Sequence, residues 1–197
     1  MDFDGVDVIV EPPGHFERKQ LVLRIAIVLA LSILGAPVAW GFGALYLLLP
    51  LIAAAVISSR GPEGYLATAG DRVLDVIRWW VAFTGYLCFL GDRVPLEMRD
   101  YRVRIDLRPS THATLGGALL RLLISIPVAL LLCVLWWAAG FVLLFAAIGV
   151  LLGERVPSFC TRFMSFVLRL EVRLLVYQAC LSDRHPFVTT SEPRPAY

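Results

Sequence analysis

Two stretches of this chain carry no charge at all: Ile25 to Ser59 and Leu122 to Gly153. Each is longer than the roughly 20 apolar residues that cross a bilayer once. A single helix of 35 residues would be about 52 Å long, well beyond a hydrocarbon core of about 30 Å. Each run is therefore expected to fold into a hairpin of two spans. The expected turns lie at Gly35, Pro37, Trp40, Gly41 and Gly43 in the first run and at Trp136, Trp137 and Gly140 in the second. A re-entrant hairpin that does not fully cross is the alternative.

The polar flanks are patterned as well. Tyr101, Val103, Ile105 and Leu107 alternate with Arg102, Arg104 and Asp106, the period of a half-buried strand, and Val6, Val8 and Val10 repeat it. Pro12-Pro13 and Pro109 end these strands. After each uncharged run a third helix is expected, near Arg72–Leu90 and Arg162–Leu181. Asp71, Asp75 and Arg78 fall three or four residues apart, as do Arg162, Ser165, Arg169 and Arg173. That spacing lays a polar stripe on an apolar helix.

These elements recur in the same order because the chain reads as one unit written twice. At an offset of 97, Val6, Pro12, His15, Leu23 and Arg24 meet Val103, Pro109, His112, Leu120 and Arg121. At an offset of 91, Val76, Arg78, Val81, Tyr86, Leu90, Asp92, Arg93 and Pro95 meet Val167, Arg169, Val172, Tyr177, Leu181, Asp183, Arg184 and Pro186. Such self-similarity points to a tandem duplication. The expected architecture is a mainly α membrane protein of two pseudo-symmetric units, 1–98 and 99–197. Each unit has a short strand, a transmembrane hairpin and an interfacial amphipathic helix, giving four spans.

Composition agrees with a membrane location: 58% of residues are hydrophobic, with a mean hydropathy of +0.75. The segment Met1–Glu11 is acidic, so a cleavable signal peptide is not expected. Crossing by the first amphipathic helix would translocate Arg93, Arg99, Arg102, Arg104 and Arg108 against the positive-inside rule. The reading therefore keeps both termini and all charged regions cytoplasmic, at the inner membrane, in a multi-pass protein.

Chemistry narrows the function classes. There is no P-loop, G-x-S-x-G or H-E-x-x-H motif, and no cofactor or enzyme activity is expected. Cys88, Cys133, Cys160 and Cys180 lack ligand spacing, and His15 and His112 have no neighbouring ligand, so no metal is expected. The spans offer Ser32, Tyr46 and Ser125 but no ionisable group, which argues against transport. A basic stripe with interleaved aromatics is missing too, so no nucleic acid is expected.

The candidate contact residues come from the matched helix ends. Tyr86, Asp92 and Arg93, with Tyr177, Asp183 and Arg184, read either as partner anchors or as helix C-terminal turns that bond their own backbone. Arg78 and Arg169 sit in apolar helices, where an arginine must snorkel, pair or meet a phosphate. Glu171 and Arg173 are confined to the second unit and read as a partner-facing pair or an exposed stripe. The tract Arg173-Leu-Leu-Val-Tyr177-Gln-Ala-Cys-Leu-Ser-Asp183-Arg184-His-Pro186 resembles a family of uncharacterised actinobacterial membrane proteins. That resemblance implies architecture and class, with no assigned activity. The resulting expectation is a non-catalytic accessory or scaffold subunit of a larger membrane complex, with phospholipid contact and a lipid-transport assembly as a possible setting. The alternative is a free-standing lipid-binding or bilayer-shaping protein.

Overall fold

The computed structural model describes residues 6–10, 16–34, 38–91, 93–95, 103–107 and 115–182. In chain order these form β1 (Val6–Val10), α1 (Arg18–Ile33), α2 (Val38–Tyr65), a π-helical segment (Leu66–Gly70) and α3 (Asp71–Leu87). They continue with β2 (Val103–Leu107), α4 (Leu115–Ile124), α5 (Ile126–Gly153) and α6 (Ser158–Gln178).

The strands pair with each other in one antiparallel ladder, Val6 opposite Leu107, Val8 opposite Ile105 and Val10 opposite Val103. A lone strand leaves its backbone groups unpaired, so each strand requires the other half of the chain. β1 touches α6 and β2 touches α3, so the ladder joins the halves a second time.

The helices overturn the expectation of a transmembrane hairpin in each unit and four spans in all. Among the described residues, two helical stretches are long and apolar enough to cross a membrane: Trp40–Leu87, which takes in α2 and α3, and Ile126–Gly153. This points to membrane association. α1 has only 16 residues and α4 only 10. The turn expected at Trp136, Trp137 and Gly140 is absent, because α5 runs unbroken through all three. The physical reason is that one glycine costs a helix only about 1 kcal/mol, and no proline interrupts the run after Pro127. In the first half α1 does end at Ile33, and α2 starts at Val38; residues 35–37 lie outside the described set.

α2 breaks near its end instead. Gly61 has φ 75° and ψ 173°, a combination open essentially to glycine alone, and Pro62 follows it. The chain reverses there and brings Trp80 of α3 against Gly41 at the start of α2. α3 and α6 then lie antiparallel: Trp80 faces Glu171, Gly70 lies beside Leu181, and Phe89 clusters with Cys160. α6 also folds back along α5, with Leu170 and Leu174 against Val128 and Leu132, and Cys160 against Ala146 and Val150. The main core is built of Tyr65, Ile77, Val81, Leu168, Val172 and Leu175.

The apolar helices are left largely uncovered. Only 17% of the most apolar window of α5, and 28% of that of Trp40–Leu87, is buried. Leu130, Val134, Trp137, Phe141 and Leu144 point outward, far more apolar surface than a monomer exposes to water.

Two glycines carry this path. A Cβ at Gly41 would collide with the Trp80 indole, whereas one at Gly43 would meet open space. Gly41→Ala should lower thermal stability in detergent by about 1–3 kcal/mol through overpacking. Gly61→Ala should cost a similar ~1–3 kcal/mol through backbone strain, and Gly43→Ala should melt like the parent.

Candidate functional site

The last turn of a helix leaves carbonyls without intrahelical donors, and burying them unsatisfied is costly. α3 and α6 end in buried positions, and both solve this problem alike. Cys88 N–H bonds Thr84 O (2.9 Å) and Leu90 N–H bonds Gly85 O (2.9 Å); at the equivalent residues Ala179 N–H bonds Leu175 O (2.9 Å) and Leu181 N–H bonds Val176 O (3.2 Å). Phe89 and Cys180, also equivalent, take the left-handed conformation with φ 59° and 54°. Glycine is the usual residue at such a terminus.

Arginine adds to these bonds at Tyr86 O and Tyr177 O, which also accept Phe89 N–H (3.2 Å) and Cys180 N–H (3.1 Å). Arg24 of α1 donates from Nε to Tyr86 O (2.9 Å) and from Nη2 to Gly91 O (2.5 Å). Arg121 of α4, its partner in the repeat, donates from Nη1 to Tyr177 O (3.1 Å) and Ser182 O (2.8 Å). Both arginines are buried. Their guanidinium carbons sit 4.4 Å from the Tyr86 ring centroid and 4.9 Å from that of Tyr177. A fixed cation at the negative end of a helix is favourable, and the ring face adds to it. Tyr86 and Tyr177 are thus internal members of two clamps. The clamp arginines match in the sequence repeat, but nothing in their spacing marks them as ligands of a distant helix end.

A second polar group lies where α3 and α6 cross. Glu171 is fully buried, and Trp80 donates its indole N–H to Oε1 at 2.7 Å. Oε2 makes no hydrogen bond with any described residue. Burial pushes the Glu171 carboxyl up to about 7, opposed by the indoles of Trp80 and Trp136, which favour its ionised form. Glu171 is therefore neither a surface charge nor a partner for Arg173, which is half-buried. Residues two apart on a helix do not face each other.

Toward the far end of the bundle, Gln178 Nε2 donates to Ser125 Oγ (2.5 Å), which lies 2.9 Å from Tyr46 Oη. These bonds tie α6, the α4–α5 junction and α2 together. Ser32 is apart from them, bonding Val28 O on its own helix.

The remaining candidates lie outside. Arg78 pairs with Asp75 at 3.2 Å, Arg93 is exposed, and Arg169 is exposed on α6. Asp92, Asp183 and Arg184 lie outside the described residues. No group of three or more His, Cys, Asp or Glu side chains converges among the described residues. The structure thus gathers Tyr86 and Tyr177 into clamps and does not bring the seven described candidates into one site.

A family model described as a domain of unknown function (DUF4389) matches residues 116–190, from α4 to beyond α6. No curated protein and no solved structure matches the chain.

Two outcomes follow from these geometries. Arg121→Ala should lower stability in detergent by about 2–4 kcal/mol, and Arg121→Lys should recover little, since one ammonium lacks the guanidinium's reach and planar stacking. Differential scanning fluorimetry reads both. For Glu171 the folded state holds its proton more tightly than the unfolded chain, whose ordinary value is 4.5. Stability should therefore fall as pH rises from 4.5 through about 7, by up to about 3 kcal/mol. Glu171→Gln should lose that slope; an unchanged slope would place Glu171 in contact with water.

Proposed function

We propose that this chain is a non-catalytic scaffold subunit of the inner membrane, whose uncovered apolar helices pack against the spans of a larger complex. The observation that carries the proposal is the pairing of α5 with α6. A helix of 28 residues without a charge runs beside one with exposed Arg162 and Arg169. The two helices lie side by side, so a basic surface and a broad apolar surface adjoin.

The buried polar side chains support a structural rather than a catalytic reading. Arg24, Arg121 and Tyr65 hold carbonyls of this chain, and Gln178 holds its own Ser125. Arg78 is neutralised by Asp75. A lipid-handling assembly is the setting this reading favours, since the exposed faces meet both acyl chains and charged groups.

Mild-detergent extraction of the tagged chain from its own host, followed by native mass spectrometry, tests the proposal. Larger membrane proteins are expected at fixed stoichiometry. A monomer or homo-oligomer carrying phospholipid alone would overturn the subunit role. It would leave the second reading, a free-standing lipid-binding protein, for which the outer face of α6 is the specific observation.

A further inference from the structure

We infer that the outer face of α6 seats anionic phospholipid headgroups, with Arg162 and Arg169 on the phosphates and Phe159 and Phe166 in the adjoining acyl region. The inference rests on the membrane placement above and does not need the subunit role.

Residues 162, 166 and 169 share one face, and the two arginines are two helical turns apart. Arg162, Phe166 and Arg169 are all exposed, and neither arginine has a hydrogen bond or ion pair with any described residue. Nearby acids are engaged elsewhere: Glu171 points inward to Trp80, and Glu154 meets Arg18 at 3.3 Å. The first half of the chain shows what is missing. There Arg78, the equivalent of Arg169, bonds Asp75; the equivalent of Asp75 is Phe166. Arg169 has therefore lost its internal counter-charge and gained an aromatic neighbour.

The chemistry of the occupant follows from the surroundings. Phe159 packs edge-on against Phe145 of α5, with centroids 6.2 Å apart, and both rings are exposed. The cationic face thus runs directly into the uncharged outer surface of α5. An acidic protein segment or a nucleic acid would satisfy the arginines and leave that apolar border in water. An anionic amphiphile satisfies both, with cation attraction near a charged leaflet and apolar burial acting together.

The test uses the full-length chain reconstituted in vesicles of phosphatidylcholine alone and of phosphatidylcholine with phosphatidylglycerol. Lipids retained after gentle extraction are counted by native mass spectrometry. Phosphatidylglycerol should be retained several-fold above its share, and raising salt should shrink the excess. Arg162→Gln with Arg169→Gln should bring retention to parity without changing the melting temperature. The double lysine variant should keep most of the preference, and Arg78→Gln should keep all of it. Retention in proportion to supply, or a preference that survives the double Gln variant, overturns the inference and indicates a protein partner for this face. If the double Gln variant does not fold, the salt dependence of the unmodified chain decides instead. A chain that an alkaline wash strips from both vesicles refutes the membrane placement itself, and this inference with it.

Discussion

Everything in this fold hangs on ending two helices in the dark. α3 and α6 finish among buried residues, where water cannot reach the last carbonyls and an unmet acceptor costs about 1–3 kcal/mol. A left-handed residue reverses each chain, and an arginine from another helix adds donors to the tyrosine carbonyl that the turn already uses and to a second carbonyl just beyond it. Those arginines come from α1 and α4, so each short helix is fixed to a helix end rather than held by propensity. α4 has 10 residues, too few for a stable isolated helix, so its clamp adds to what orders it.

How far this could be read beforehand depended on which rule was local. The apolar runs were legible, because charge patterning survives any tertiary arrangement, but the stripe of α6 only in part: Arg162 and Arg169 are exposed while Ser165 is buried. The second hairpin was misread: Trp136, Trp137 and Gly140 resemble an interfacial turn, yet none of them breaks a helix rich in Leu and Ala. The break at Gly61 falls between the first uncharged run and the third helix expected from Arg72, so its place was legible, whereas the positive φ that makes it was not. Glu171 shows the opposite failure. Its sequence neighbour Arg173 suggested a surface pair, whereas helical geometry sends residues two apart to different faces. The inward position of Glu171 could have been argued from spacing alone; its indole partner could not.

The clamps and the buried carboxyl act in different directions. Arg24 and Arg121 repeat the same contacts at equivalent positions, so they serve what the two halves share. At the crossing of α3 and α6 the equivalent residues differ: Trp80 stands in one helix and Glu171 in the other, and they bond each other. Two tryptophans at this point would leave their N–H donors competing for acceptors. Two glutamates would place like charges in a low-dielectric core, which drives one of them to hold its proton. The mixed pair satisfies donor and acceptor together, and a chain carrying both halves can hold it where identical halves could not.

The same reasoning extends to the surface. A helix face that carries its own counter-charge, as Asp75 does for Arg78, needs nothing from outside. Replacing that acid with Phe166 leaves Arg169 without an internal partner and sets an aromatic ring between two cations. In water this change would be almost neutral, because a solvated arginine loses little by standing alone. Beside an uncharged helix that leaves most of its apolar surface uncovered, it is not neutral, since hydration is scarce where hydrocarbon begins. The outer side of α6, with a ring where α3 has a carboxylate, thus lacks the self-contained charge of the α3 face.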